Sequence, residues 1–137
     1  MTEVALMLVP LLVLTLGLFD AGVAVFRYHI VAEAARHGAR TAIVHGDRAN
    51  PGAQWGPAQI DAVASSSGIP ILTKIQPVLV GCDLSQTQIT VDWPEGSNEF
   101  GKPVTVTITT EYVPIVAALT NYGPITLSAS STMTIAH

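Results

Sequence analysis

Residues 2–44, TEVALMLVPLLVLTLGLFDAGVAVFRYHIVAEAARHGARTAIV, decide how the rest of the chain is organised. From Val4 to Phe26 almost every side chain is apolar. Asp20 is the one ionisable group inside that run, and a second acid, Glu3, stands just before it. From Arg27 onward the helical pattern continues with charges spread around it. As a single helix the stretch reaches roughly 65 Å at about 1.5 Å per residue, far more than a small globular domain needs. Its first half is about long enough to cross the hydrocarbon core of a bilayer. The expected division is a membrane or filament-core half over 1–26, an amphipathic half over 27–45 that packs on a head, and a head over 46–137.

The apolar half has internal features. Pro10 lies within it; in water a helix-interior proline costs about 3 kcal/mol and bends the axis. Within a membrane, neighbouring groups satisfy the carbonyl it frees. Gly17, Ala21 and Gly22 are small and closely spaced, which allows either an ordinary anchor or a close approach by another helix. Ionisable groups in such a segment need a reason to be there. Glu3 and Asp20 sit toward opposite ends and suit the two interfaces. Equally, each suits a base on a neighbouring copy: an α-amino group for Glu3, and Arg27 of an axially shifted helix for Asp20.

In the second half, Ile30, Ala34, Gly38 and Ala42 recur every fourth residue, with Val31, Ala35 and Ala39 in a row beside them. Together they form a smooth face that suits another helix or a sheet. Ala34, Ala35, Gly38 and Ala39, flanked by Arg36 and Arg40, are the candidate packing face. The two arginines fit either a solvated face or contact with acids on neighbouring copies. Glu33 is placed to pair with Arg36 or His37, a contact worth a few tenths of a kcal/mol. His29, His37 and His45 fall on different sides of a helix of 3.6 residues per turn, so they do not form a metal-ligand set.

The helix should stop near Val44 to Gly46, before the Pro51-Gly52 turn. Pro57 is expected to open a short helix over 57–67. A further helical turn is expected over 70–76, followed by an extended passage through Val78, Leu79 and Val80. Thereafter the period changes to two. Residues 88–92 alternate, 104–109 alternate cleanly as VTVTIT, and 125–135 supply a last strand. A short helix or crossing segment is expected over 114–121. About three strands make a small antiparallel sheet with one apolar face, and the amphipathic half of the helix is its natural cover. The fold class is therefore α+β: a long apolar stalk helix packed on a small antiparallel head. The threonine rows on the other face follow strand propensity or form a ligand surface.

Composition narrows the function. After residue 49 the only bases are Lys74 and Lys102, against six acids, which argues against a nucleic-acid surface. The single cysteine, Cys82, excludes an internal disulfide and is expected to be a small buried residue. The sequence has no glycine-rich phosphate loop, HExxH, paired-cysteine metal set or nucleophile elbow, so neither a catalytic residue, a metal nor a cofactor is expected. No base precedes the apolar run and three follow it. Taken literally, that charge bias puts the head in the cytoplasm. A basic leader that once stood before this sequence is the preferred alternative.

That preference rests on a resemblance. Glu3-Val-Ala-Leu-Met-Leu-Val-Pro10-Leu-Leu resembles the VEFALVLPLLL opening of TadE-like pilins. Phe19-Asp20-Ala21-Gly22 resembles the acid–aromatic–glycine step that follows in that family. Ala34-Ala35-Arg36-His37-Gly38-Ala39-Arg40 is similar to its AAREGAR signature, with His37 in place of glutamate. The spacing of the three pieces also fits, and Ile125 to Ala136 resembles the family's closing strand. The resemblance implies a member of the type IV filament superfamily. Such a protein is made with a leader, held in the cytoplasmic membrane and cut by a prepilin peptidase. Assembly machinery then draws it into a helical homo-oligomer at the cell surface. It also implies that Glu3 pairs with the terminal amine of a neighbouring subunit. The family places that glutamate fifth in the mature chain; here it is third, because the mature end is shorter or because Met1 replaces leader residues. Glu3, Pro10, Gly17, Asp20, Gly22 and Arg27 are the expected assembly residues. A minor pseudopilin and a membrane-anchored binding module are the alternatives.

Overall fold

The computed structural model describes residues 2–117 and 123–136. Helix α1 runs unbroken from Thr2 to Ala42, through Pro10. It ends slightly before the expected Val44. His45 Nδ1 lies 2.7 Å from the Thr41 carbonyl, so the ring holds its proton there and donates it to the last turn. The same ring stacks on Trp55, with centroids 3.8 Å apart.

Four strands follow: β1 (Ile60–Val63), β2 (Thr87–Asp92), β3 (Pro103–Tyr112) and β4 (Ile125–Thr134). They form one antiparallel sheet in the order β1-β2-β3-β4. The sheet thus has one strand more than expected, and the extra strand replaces the short helix expected over 57–67. Ile60 and Ala62 face inward opposite Val91 and Ile89, while Asp61 and Val63 are exposed. The Thr90 hydroxyl donates to Asp61 Oδ1 at 2.6 Å across that pair. Four residues of period two are too few to stand out beside a proline and a run of helix-tolerant residues, and the pairing partner decides.

Helix α2 covers Pro70–Ile75, as the sequence implies. The extended passage expected after it is instead a 3₁₀ turn over Gln76–Val78. Gln76 holds this turn in place by donating from Nε2 to the Ala64 carbonyl at 2.6 Å. Cys82 is half-buried rather than buried. The segment expected over 114–121 lies partly outside the described residues; within them, a turn closes from Ala117 N–H to the Pro114 carbonyl.

The core lies between the sheet and the second half of α1. Val31, Ala34, Ala35, Ala39 and Ala42 of α1 meet Val104, Val106 and Ile108 of β3 and Ile89 and Val91 of β2, with α2 adding Ile71, Leu72 and Ile75. Alternation along β3 is clean as far as Ile108. Thr110 then occupies a buried position, which it tolerates because its hydroxyl pairs with that of Thr87 at 2.8 Å. Opposite the core, hydroxyls pair across β3 and β4: Thr105 with Thr132 at 2.8 Å and Thr109 with Ser128 at 3.0 Å. The helix runs along the sheet with its far end tied to β4, where Ala136 N–H donates to the Ile43 carbonyl.

Candidate functional site

Only part of α1 belongs to the head. Before Leu16 every described side chain of the helix is exposed; Leu6 is 80 % and Leu14 67 % accessible. The first buried side chain is Asp20, at 6 %. The helix therefore meets the head at Asp20 and projects beyond it as an apolar rod from Val4 to Phe19.

That junction is built around the Asp20 carboxylate. Tyr112, the last residue of β3, donates its hydroxyl to Oδ1 at 2.9 Å. The backbone N–H of Val116, in the turn that follows, donates to Oδ2 at 2.7 Å. Arg27 lies two helical turns further on, and its guanidinium sits over the Tyr112 ring, 4.8 Å from the centroid. A cation so placed contributes about 0.5–1 kcal/mol. Beside this cluster is a groove of about 540 Å³ with largely apolar walls, between Gly17, Ala21 and Ala24 of α1 and Tyr112, Pro114 and Ile125 of the head.

The other residues singled out in the sequence separate into two groups. Glu3 and Pro10 lie exposed at the tip and along the rod, Gly22 lies on the exposed side of α1 just past Asp20, and a β-carbon at Gly22 would meet nothing within 4 Å. Ala34, Ala35, Gly38 and Ala39 form the packing face, and what they pack on is the sheet of their own chain. Arg36 and Arg40 are not part of that face. Both are exposed, and Arg36 reaches Glu33 at 3.5 Å on the solvent side. Their positions in the sequence explain this, since a helix that buries residues 34, 35, 38 and 39 turns 36 and 40 outward.

Sequence reasoning sought partners for Asp20 on another copy and missed the two in its own chain. A signal for one of them was present. Tyr112 has the same parity as Val104, Val106 and Ile108, so it was due to be buried, and a buried phenol needs an acceptor. Val116 offered no such signal, because its contribution is a backbone N–H. Among the described residues no group of three or more acids, histidines or cysteines is placed to hold a metal.

Comparison with known families places a match where the rod and its junction lie. Residues 1–40 match the model of the family described as TadE-like protein. No curated protein and no solved structure matches the chain. The matched residues carry both chemical halves of α1, from the exposed apolar run through Asp20 to the small-residue face buried on the sheet. Over residues 1–40, which hold nearly all of α1, the chain is similar to the TadE-like protein family.

Proposed function

We propose that the protein is a structural, non-catalytic subunit of a Tad-type surface filament, held in the cytoplasmic membrane by α1 before assembly. The supporting observation is the uncovered rod. From Val4 to Phe19 the helix that resembles the TadE-like family presents mostly exposed apolar side chains among the described residues. Bilayer lipid satisfies such a surface first, and the rods of other copies satisfy it afterwards. Both environments are apolar, so the exchange gains little hydrophobic free energy. Selectivity has to come from close packing and from charge pairing. Pro10, Gly17 and Gly22 are the packing positions on the rod. Glu3 is the pairing group at its tip, directed at the terminal amine of a neighbour, whose end a prepilin peptidase creates. The heads form the outer wall, and their acidic balance keeps nucleic acid from being a partner.

The test is Glu3→Ala, expressed in the native host and compared with wild type by negative-stain microscopy of sheared surface material. The variant should still insert in the membrane, while filament yield falls. Normal yield from Glu3→Ala would remove its pairing role. A wild-type protein found only as a detergent-soluble monomer would favour the anchored binding module. One found at few copies beside a more abundant, shorter pilin would favour the minor pseudopilin.

A further inference from the structure

We propose that the Tyr112–Ala117 segment and the start of β4 form a collar seated in the outer edge of the bilayer, with lipid acyl chains as its partner. The inference rests on α1 spanning the membrane, part of the reading above, and does not require filament assembly.

The argument begins with depth. A hydrocarbon core of about 30 Å takes about 20 residues of helix. Counted from Glu3, it ends at about residue 23, and the headgroup layer extends to about residue 27. Asp20 then falls inside the hydrocarbon edge, where a bare carboxylate is costly. Here it is not bare: Tyr112 Oη and Val116 N–H supply both oxygens, and the side chain is 6 % exposed. Whatever holds Asp20 lies at the depth of Asp20. The bonds that satisfy the acid therefore draw a piece of the head down to the lipid.

That piece has the composition such a position needs. Residues 112–117 read YVPIVA and contain no charge. Val113 is 66 % exposed, Ile115 52 % and Ile125 41 %, and Ile125 lines the groove together with Gly17, Ala21 and Ala24 of α1. Along that groove the apolar surface of the spanning helix meets apolar surface of the head. The groove between Gly17, Ala21 and Ala24 and the head is apolar and of a size for chain segments of lipid. Glu111, one residue before Tyr112, points to the opposite face of the sheet. At the expected headgroup depth stand Arg27 and the exposed Tyr28, a cation and an amphipathic ring suited to phosphate and interface.

The experiment uses the full chain in vesicles of phosphatidylcholine and phosphatidylglycerol, in a Cys82→Ser background. A bimane label is placed by Val113→Cys or Ile115→Cys. Leu12→Cys is the control for the span. Glu99→Cys is the aqueous control, since β3 sets it about 30 Å along the sheet from Tyr112. Emission at 113 and 115 should fall in brominated lipid as it does at Leu12, and should resist aqueous iodide, whereas Glu99 behaves oppositely. If Leu12 is quenched by brominated lipid but 113 and 115 follow Glu99, the collar is refuted and the span stands. If 113 and 115 resist iodide without being quenched by brominated lipid, a second copy covers them and the collar is refuted. If Leu12 itself is quenched by iodide, the spanning helix and the collar fall together.

Discussion

A β-carbon added at Gly38 would stand 2.8 Å from Ile75 Cδ1 and 3.0 Å from Val106 Cγ1. The glycine of the Ala34–Arg40 run is therefore closely packed in the chain's own core, with room for little more than a methyl group. It lets α1 lie against β3 while α2 closes the far side. Gly38→Ala combines a helix-propensity gain of about 0.5–1 kcal/mol with a clash that the flexible end of Ile75 partly relieves. Gly38→Val has no such relief, and overpacking should cost it about 1–3 kcal/mol. Thermal melts in mild detergent should show Gly38→Val several degrees below wild type and Gly38→Ala close to it. A second residue-scale prediction concerns acid. Ser85 donates its hydroxyl to Asp83 Oδ1 at 2.6 Å and its N–H at 2.9 Å, which holds that carboxyl below its ordinary value. A folded-state value below the unfolded one gives stability that is fully present above the unfolded pKa. It is lost as pH falls through the folded one, so the window lies at and below about pH 4. Asp83→Ala should therefore be less stable than wild type at neutral pH and lose less on acidification. Urea midpoints measured between neutral pH and pH 3 check this, and parallel curves would show that the turn contributes nothing.

The elements were legible to the extent that their pattern is local. The long helix follows from its unbroken apolar run. Strands β2, β3 and β4 follow from alternation, and the small-residue rows identified the face of α1 that is buried. Small side chains serve a helix or a sheet equally, and it was the uncovered apolar face of the strands that assigned this one to the sheet. Strand β1 was hidden because four residues of alternation acquire meaning only beside β2. The junction was half hidden, since one Asp20 partner is a side chain in strand phase and the other a backbone N–H more than ninety positions away. The two halves of α1 make a prediction at this scale. Gly22 has nothing within 4 Å, in contrast to Gly38. Gly22→Leu should melt with wild type in detergent, and under the proposed filament role it should give fewer filaments, because there the surface it roughens packs against other copies. A loss of melting temperature in Gly22→Leu equal to that of Gly38→Val would show that the rod packs within its own chain.

Over the whole molecule, the point of division is set by burial. Among the described residues, every buried side chain of α1 lies at Asp20 or beyond, and residues 31–42 of α1 together with α2 supply much of the cover over the sheet's apolar face. A fragment 16–137 keeps the Asp20 junction and the entire described core, and lacks the exposed part of the rod before Leu16. It should fold as a cooperative monomer in water, retaining a tendency to adhere to vesicles through Val113, Ile115 and Ile125. A fragment 46–137 begins past the cover. Val104, Val106, Ile108 and Ile89 would then lose the α1 side of their cover, at up to about 1.5–3 kcal/mol of burial each. Four of them approach the whole stability of a small domain, about 5–15 kcal/mol. That fragment should show no cooperative melt by circular dichroism and should aggregate on size-exclusion chromatography. A cooperative melt from 46–137 would mean that the head closes its own core and that α1 is only a tether. Asp20 would then cease to be the point where rod and head become one folding unit, and the collar would have to be anchored by the turn alone.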